Sequence, residues 1–137
     1  MTESNKPEAN GSAGTEPHLF GHGRLSYVQI PAVDVRESAS WYERVFGWSV
    51  RGGGVDHLSF TDTTGDMIGA FVTGRVVSRE PGILPHIYVH GIDNVLGLIT
   101  ANGGEIVKPP YPEGDLWVAT FRDPAGNVLG VWQRGPR

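Results

Sequence analysis

Between residues 25 and 31, and again between 85 and 90, β-branched and aromatic side chains alternate with polar ones, the period-two pattern of a half-buried strand. After each stretch the period lengthens. Val35, Ala39, Tyr42 and Phe46 recur at helical intervals, with Trp41 and Val45 widening the apolar stripe, and Asp34-Val-Arg-Glu37 has capping-box spacing. A second helix is predicted from Asp93, carrying Val95, Leu96, Leu98 and Ile99 until Asn102-Gly103-Gly104 stops it. Three short strands follow each helix, at about 48–51, 55–61 and 67–73, then at 105–108, 116–122 and 127–133. The last two of each half are joined by Asp62-Thr-Thr-Gly65 or Asp123-Pro-Ala-Gly126, turns suited to antiparallel hairpins.

The two halves repeat one another. Tyr27–Asp34 can be laid over His86–Asp93 at a separation of 59, and Phe60–Phe71 over Phe121–Trp132 at 61, aligning Asp62 with Asp123 and Gly69 with Gly130. The expected fold is α+β, two tandem βαβββ modules at 23–74 and 83–134 whose mixed sheet curls around a shared cavity. A sheet covered by one helix on one face leaves its other face bare, so the modules must share a space, and that space is the natural ligand site. Residues 1–22, rich in Glu, Gly, Ser, Asn and Pro, read as a disordered tail ahead of a single domain at 23–134.

Composition narrows the chemistry. Eleven Lys and Arg against fifteen Asp and Glu give a net charge of −4, with no basic stripe of the kind that neutralises nucleic-acid phosphates. No segment approaches the roughly 18 apolar residues of a membrane span, and the N-terminus lacks a signal-peptide core, so a cytoplasmic protein handling small molecules is expected. Cysteine is absent, which leaves His, carboxylate or amide as the available metal donors and removes thiol chemistry. Arg51-Gly-Gly-Gly54 has neither the following Lys-Ser/Thr nor the helix of a phosphate loop, and reads as a strand connection.

Ile30-Pro-Ala-Val-Asp34, Trp41-Tyr42, Val45-Phe-Gly-Trp48 and Asp123-Pro-Ala-Gly-Asn127 resemble the strand, helix end, second-strand entry and terminal hairpin of the vicinal-oxygen-chelate superfamily, which includes glyoxalase I, bleomycin-resistance proteins and dioxygenases. The similarity runs from about Gly23 to Gln133 and is strongest to a glyoxalase-related group of that superfamily. The resemblance implies four metal-ligand positions, which fall on Tyr27, Gly69, His86 and Gly130; glycine carries no donor, so no metal and no cofactor are expected.

His86, Tyr88 and His90 share one strand face, and Tyr27 and Gln29 the matching face of the first module. With Gly69 and Gly130 at the old ligand positions, Phe71 and Trp132 are expected to face the same space. The segment Pro109-Pro-Tyr-Pro-Glu-Gly-Asp115 reads as an extended lip from which Tyr111, Glu113 or Trp117 would touch a ligand. The expected function is binding of a small, partly aromatic molecule by Tyr27, Gln29, Phe71, Tyr88, Trp117 and Trp132, in a homodimer. The alternative is a divergent lyase, isomerase or dioxygenase-type enzyme with His86 as catalytic acid/base, or as a metal ligand with His57 or Glu113. A third reading is a module whose cavity is vestigial and whose role is association with another protein.

Overall fold

The computed structural model describes residues 17–52, 54 and 56–137. Most of the tail expected at 1–22 therefore lies outside the described residues. Its last part is ordered: Pro17–Phe20 form a 3-10 turn, Leu19 is buried, and His18 Nε2 lies 2.7 Å from Asp66 Oδ1.

The elements follow the repeated order. Strand β1 (Tyr27–Pro31), helix α1 (Val35–Phe46) and strands β2 (Ser49–Arg51), β3 (His57–Thr61) and β4 (Ile68–Val72) form the first module. Strand β5 (His86–Tyr88), helix α2 (Ile92–Ala101) and strands β6 (Glu105–Glu113), β7 (Leu116–Arg122) and β8 (Val128–Arg134) form the second. The sheets run β1-β4-β3-β2 and β5-β8-β7-β6, with the first strand of each module parallel to its last and the other pairs antiparallel. Asp34 caps α1 as its spacing predicts, Oδ1 accepting from the Arg36 and Glu37 amides, and Gly47 ends the helix at φ 77°, a left-handed conformation that disfavours side chains.

The helices lie on one face of the sheets, over a shared aromatic core. Tyr42, Trp48, Phe60 and Phe71 stack at centroid distances of 4.6–5.3 Å, and Trp41 reaches the other module to stack on Phe121 at 5.6 Å. Tyr42 Oη donates to Asp123 Oδ2 at 2.9 Å, and Asn127 Nδ2 donates to the Pro31 carbonyl at 2.7 Å. Oily surface and buried polar bonds thus fasten the modules together.

The strand register corrects the sequence alignment of the halves. Both caps, Asp34 and Gly91, stand one residue before their helices, and the Ala32 amide bonds the Val72 carbonyl as the Val89 amide bonds that of Trp132. These pairs place Gln29, not Tyr27, in the position of His86. In the same way Ala70, which pairs with Gln29, corresponds to Gly130, which pairs with His86. The slip in the last strand arises in the hairpin turns: Asp62 N bonds to Met67 O where Asp123 N bonds to Asn127 O, one residue fewer. Because side chains alternate, that residue turns Gly69 and Phe71 to the helix face. Phe71 is fully buried in the core, so its expected place in the cavity is wrong.

Two further expectations change. The second helix opens at Ile92, not at Asp93; Gly91 has no side chain to cap it, and buried Gln133 supplies the missing acceptor, its Oε1 taking the Ile92 amide at 2.7 Å. The expected lip at 109–115 is mostly strand, since β6 continues to Glu113 with register shifts around its prolines and only Gly114-Asp115 turn the corner. Its edge position explains this, because an outer strand tolerates residues that cannot donate to a ladder.

Candidate functional site

A cleft of about 750 Å³ runs between β1 and β5, one end strand of each sheet. Tyr27, Gln29, His86 and Tyr88 line it, together with Leu25, Ile83, Leu84 and the 62–67 turn, and its wall is mainly apolar. Val28, Ile30, Ile87 and Leu129 form its floor where the cleft meets the core.

One wall comes from the connection between modules. The Val128 amide bonds to Ser78 O and the Gly130 amide to Pro85 O, both at 2.9 Å, so residues 79–84 loop out between anchors two residues apart on β8. Asn127 Oδ1 accepts the Ser78 amide at 2.8 Å and fixes one end. Ile83 stands 90% exposed on this loop, at the rim of the cleft. Sequence reasoning overlooked the segment; its signal is the apolar pair Ile83-Leu84 directly before Pro85 and the strand.

His86 projects from the open face. A carbonyl oxygen can only accept, so the 2.9 Å contact with Leu84 O places a proton on Nδ1 and leaves Nε2 with the lone pair in the neutral ring. The ring covers Gly130, whose own side-chain space it occupies. Across the cleft Gln29 Nε2 donates to Tyr27 Oη at 3.5 Å and its Oε1 accepts from Arg75 at 3.2 Å. Tyr88 is 45% exposed and meets Trp132 edge-on at 4.6 Å. Trp132 lies beside the cleft on the open face of β8, one strand inward of Tyr88.

Trp117 does not join them. It pairs with Gln133 on the helix face of β7 and borders a separate depression of about 370 Å³, with the Arg137 guanidinium 4.7 Å over its ring. The cleft therefore brings together Tyr27, Gln29, His86 and Tyr88, keeps Trp132 adjacent, and excludes Phe71 and Trp117.

The four metal-ligand positions implied by resemblance do not assemble a donor set. Gly69 faces the helix side, where a side chain would strike the Val28 carbonyl and the Phe60 ring, and Gly130 lies under the His86 imidazole. Among the described residues no three His, Asp or Glu side chains gather where they could hold an ion, so neither His57 nor Glu113 completes a set with His86.

The perturbed ionisable groups lie behind the cleft. Burial raises the Asp123 carboxyl above its ordinary value, against the lowering effect of hydrogen bonds from Asn127, Tyr42 and the Ala125 amide. Burial, then the Asp123 charge, raises the Tyr42 phenol well above its usual range. These groups hold modules together and do not open onto the cleft.

A family model described as the Glyoxalase/Bleomycin resistance protein/Dioxygenase superfamily matches residues 24–131. A glyoxylase-like domain-containing protein of Didymella fabae is 27% identical over 126 residues, covering 82% of this chain and 95% of its own. A glyoxalase/bleomycin resistance protein/dioxygenase family enzyme from Burkholderia phytofirmans PsJN has a TM-score of 0.66 at 20% identity, over 80% of this chain and 97% of that one. The fosfomycin resistance protein FosX from Listeria monocytogenes, in complex with Mn(II) and 1S,2S-dihydroxypropylphosphonic acid, has a TM-score of 0.67 at 16% identity, over 80% and 88%. At those identities the structural likeness concerns the fold. No helix of the described residues is long and apolar enough to cross a membrane.

Proposed function

The chain belongs to the Glyoxalase/Bleomycin resistance protein/Dioxygenase superfamily, and from that premise we propose that it binds a small, partly aromatic molecule in the cleft between β1 and β5, without the metal its family uses elsewhere. The observation that carries this reading is the cleft itself: about 750 Å³, apolar along its walls, with Tyr27 and Tyr88 exposed on opposite sides. Binding needs affinity and no reacting group, and the donor-poor positions at Ala70 and Gly130, paired with Gln29 and His86, meet that lower requirement.

The experiment is a fluorescence titration with the neutral probe N-phenyl-1-naphthylamine. Saturable one-to-one binding is expected, weakened roughly tenfold by Tyr88→Ala, the loss of one aromatic contact. Absence of saturation, or no change in that variant, contradicts the reading.

A second reading rests on His86, whose Nδ1 is held by Leu84 O while Nε2 remains available at the cleft. It makes the protein an enzyme that moves a proton at that nitrogen. In that case His86→Ala abolishes turnover while probe affinity persists.

A further inference from the structure

The open face of the first sheet carries charge of one sign. Its four strands contain a single charged side chain, Arg51, and no carboxylate. Arg51 stands in one row with Ser59, Ala70 and Gln29 across β2, β3, β4 and β1, so all four side chains share the face opposite α1. Its Nη1 donates to Thr61 Oγ1 at 2.5 Å, which draws the guanidinium inward over β3. From the other end of the row Arg75, just after β4, donates to Gln29 Oε1 at 3.2 Å. Two guanidinium groups thus stand at the ends of the row, with half-buried Ser59 and buried Ala70 between them.

Neither cation has a carboxylate partner among the described residues. The nearby acids are engaged elsewhere. Asp66 pairs with His18 and Arg24, and Asp62 Oδ1 accepts the Thr64, Gly65 and Asp66 amides of its own turn. Asp56, in the bend before β3, makes no ion pair with either arginine among the described residues. In the second sheet Arg122 is paired with Glu105 at 2.9 Å and Lys108 sits over the Tyr111 ring at 4.1 Å, while Arg134, at the end of β8, has no carboxylate partner among the described residues. What sets Arg51 and Arg75 apart is that both stand at one row of the first sheet with only neutral partners, in a chain whose net charge is −4.

The geometry points to an anionic ligand, with its aromatic body in the cleft and its carboxylate, sulfonate or phosphonate group over the open face of the first sheet between Arg75 and Arg51. Gln29 links the two regions, since its amide lines the cleft and its Oε1 touches Arg75. Guanidinium groups match planar or tetrahedral oxyanions through two parallel N–H donors, and their present partners, an amide and a hydroxyl, are neutral acceptors that an anion replaces. The inference rests on the cleft reading above and adds the ligand's charge.

The test compares two probes that share an aromatic body and differ by one sulfonate: 8-anilinonaphthalene-1-sulfonate and N-phenyl-1-naphthylamine. Each is titrated against the wild type and against R51Q, R75Q and R44Q, with displacement of one probe by the other showing a common site. R44Q removes the same charge from the helix side, where Arg44 bonds Asn102. Near-UV circular dichroism checks that each variant is folded. The expected result is that the sulfonate binds roughly tenfold more tightly than the neutral probe, that R51Q and R75Q each remove most of this excess, and that R44Q does not. Equal affinity of the two probes, or equal effects of all three substitutions, overturns the anionic assignment and leaves the cleft reading standing. Failure of both probes to saturate removes the cleft reading and this one with it.

Discussion

Tyr42 Oη donates a 2.9 Å hydrogen bond to Asp123 Oδ2, joining the helix of the first module to the terminal hairpin of the second in a site closed to solvent. Asp123 Oδ1 accepts the Ala125, Gly126 and Asn127 amides, and Asn127 continues the network to Pro31 and Ser78 on the first module and the connection. The cleft depends on this joint, because Pro31, Ser78 and Asn127 are among the residues that line it. Tyr42→Phe keeps the ring and removes one bond to a buried carboxyl, at a cost of about 1.5–3 kcal/mol in urea denaturation. A loss below about 0.5 kcal/mol would show that the Tyr42–Asp123 bond contributes little to holding the modules together.

The same network sets a pH dependence. Burial puts the folded-state pKa of Asp123 above its ordinary value of 3.8, so between those two values the folded chain binds more protons than the unfolded chain. The stability this group contributes therefore falls as pH rises through that window. Asp123→Asn removes the titration, and its destabilising effect should be smaller at pH 7 than at pH 4. A cost that grows toward pH 7 would mean that the surrounding donors outweigh burial and depress the pKa.

Gln133→Ala removes the acceptor that caps α2 from another strand, and leaves the Ile92 amide unpaired beneath the helix. A loss of about 1–2 kcal/mol is expected, with amide exchange accelerated first at the start of α2. Unchanged exchange there would show that water replaces the glutamine.

The two glycines should respond differently to alanine. At Gly69 the added methyl meets the Val28 carbonyl and the Phe60 ring, atoms fixed by the sheet and the core, so Gly69→Ala should prevent stable folding. At Gly130 the nearest atoms it meets belong to the His86 imidazole, an exposed ring that can swing aside, so Gly130→Ala should fold and lose the bond from His86 Nδ1 to Leu84. Soluble expression and a histidine-selective NMR spectrum check both outcomes. Equal tolerance at the two positions contradicts the opposite facing of Gly69 and Gly130.

A homodimer is also expected, since β2 and β6 are unpaired edges and Val33 and Val76 stand exposed at 73% and 91%. Light scattering that gives a monomer at every concentration would contradict it.

The duplicated architecture was legible because amphipathic periods survive without knowledge of partners: Val35 through Phe46 mark a helix wherever it packs. Facing was harder to read. A single extra residue in the 62–67 turn reverses which side of β4 is buried, and the matching aspartates and glycines of the two halves conceal it. Tyr27, Gln29, His86 and Tyr88 fell on the cleft because the alignment of β1 with β5 slipped by two residues, an even shift that keeps every side chain on its face. Phe71 and Trp117 did not, because an aromatic residue in a strand carries no mark of which face it takes. Pro109 and Pro110 read as a loop for want of knowing that β6 is an outer strand.

The most direct test of the cleft is an amide chemical-shift titration of the labelled chain with N-phenyl-1-naphthylamine. The account predicts saturable shifts clustered at Tyr27, Gln29, Ile83, His86 and Tyr88, with Trp117 and its surroundings still. Shifts centred on Trp117 and Arg137, or none that saturate, would contradict it.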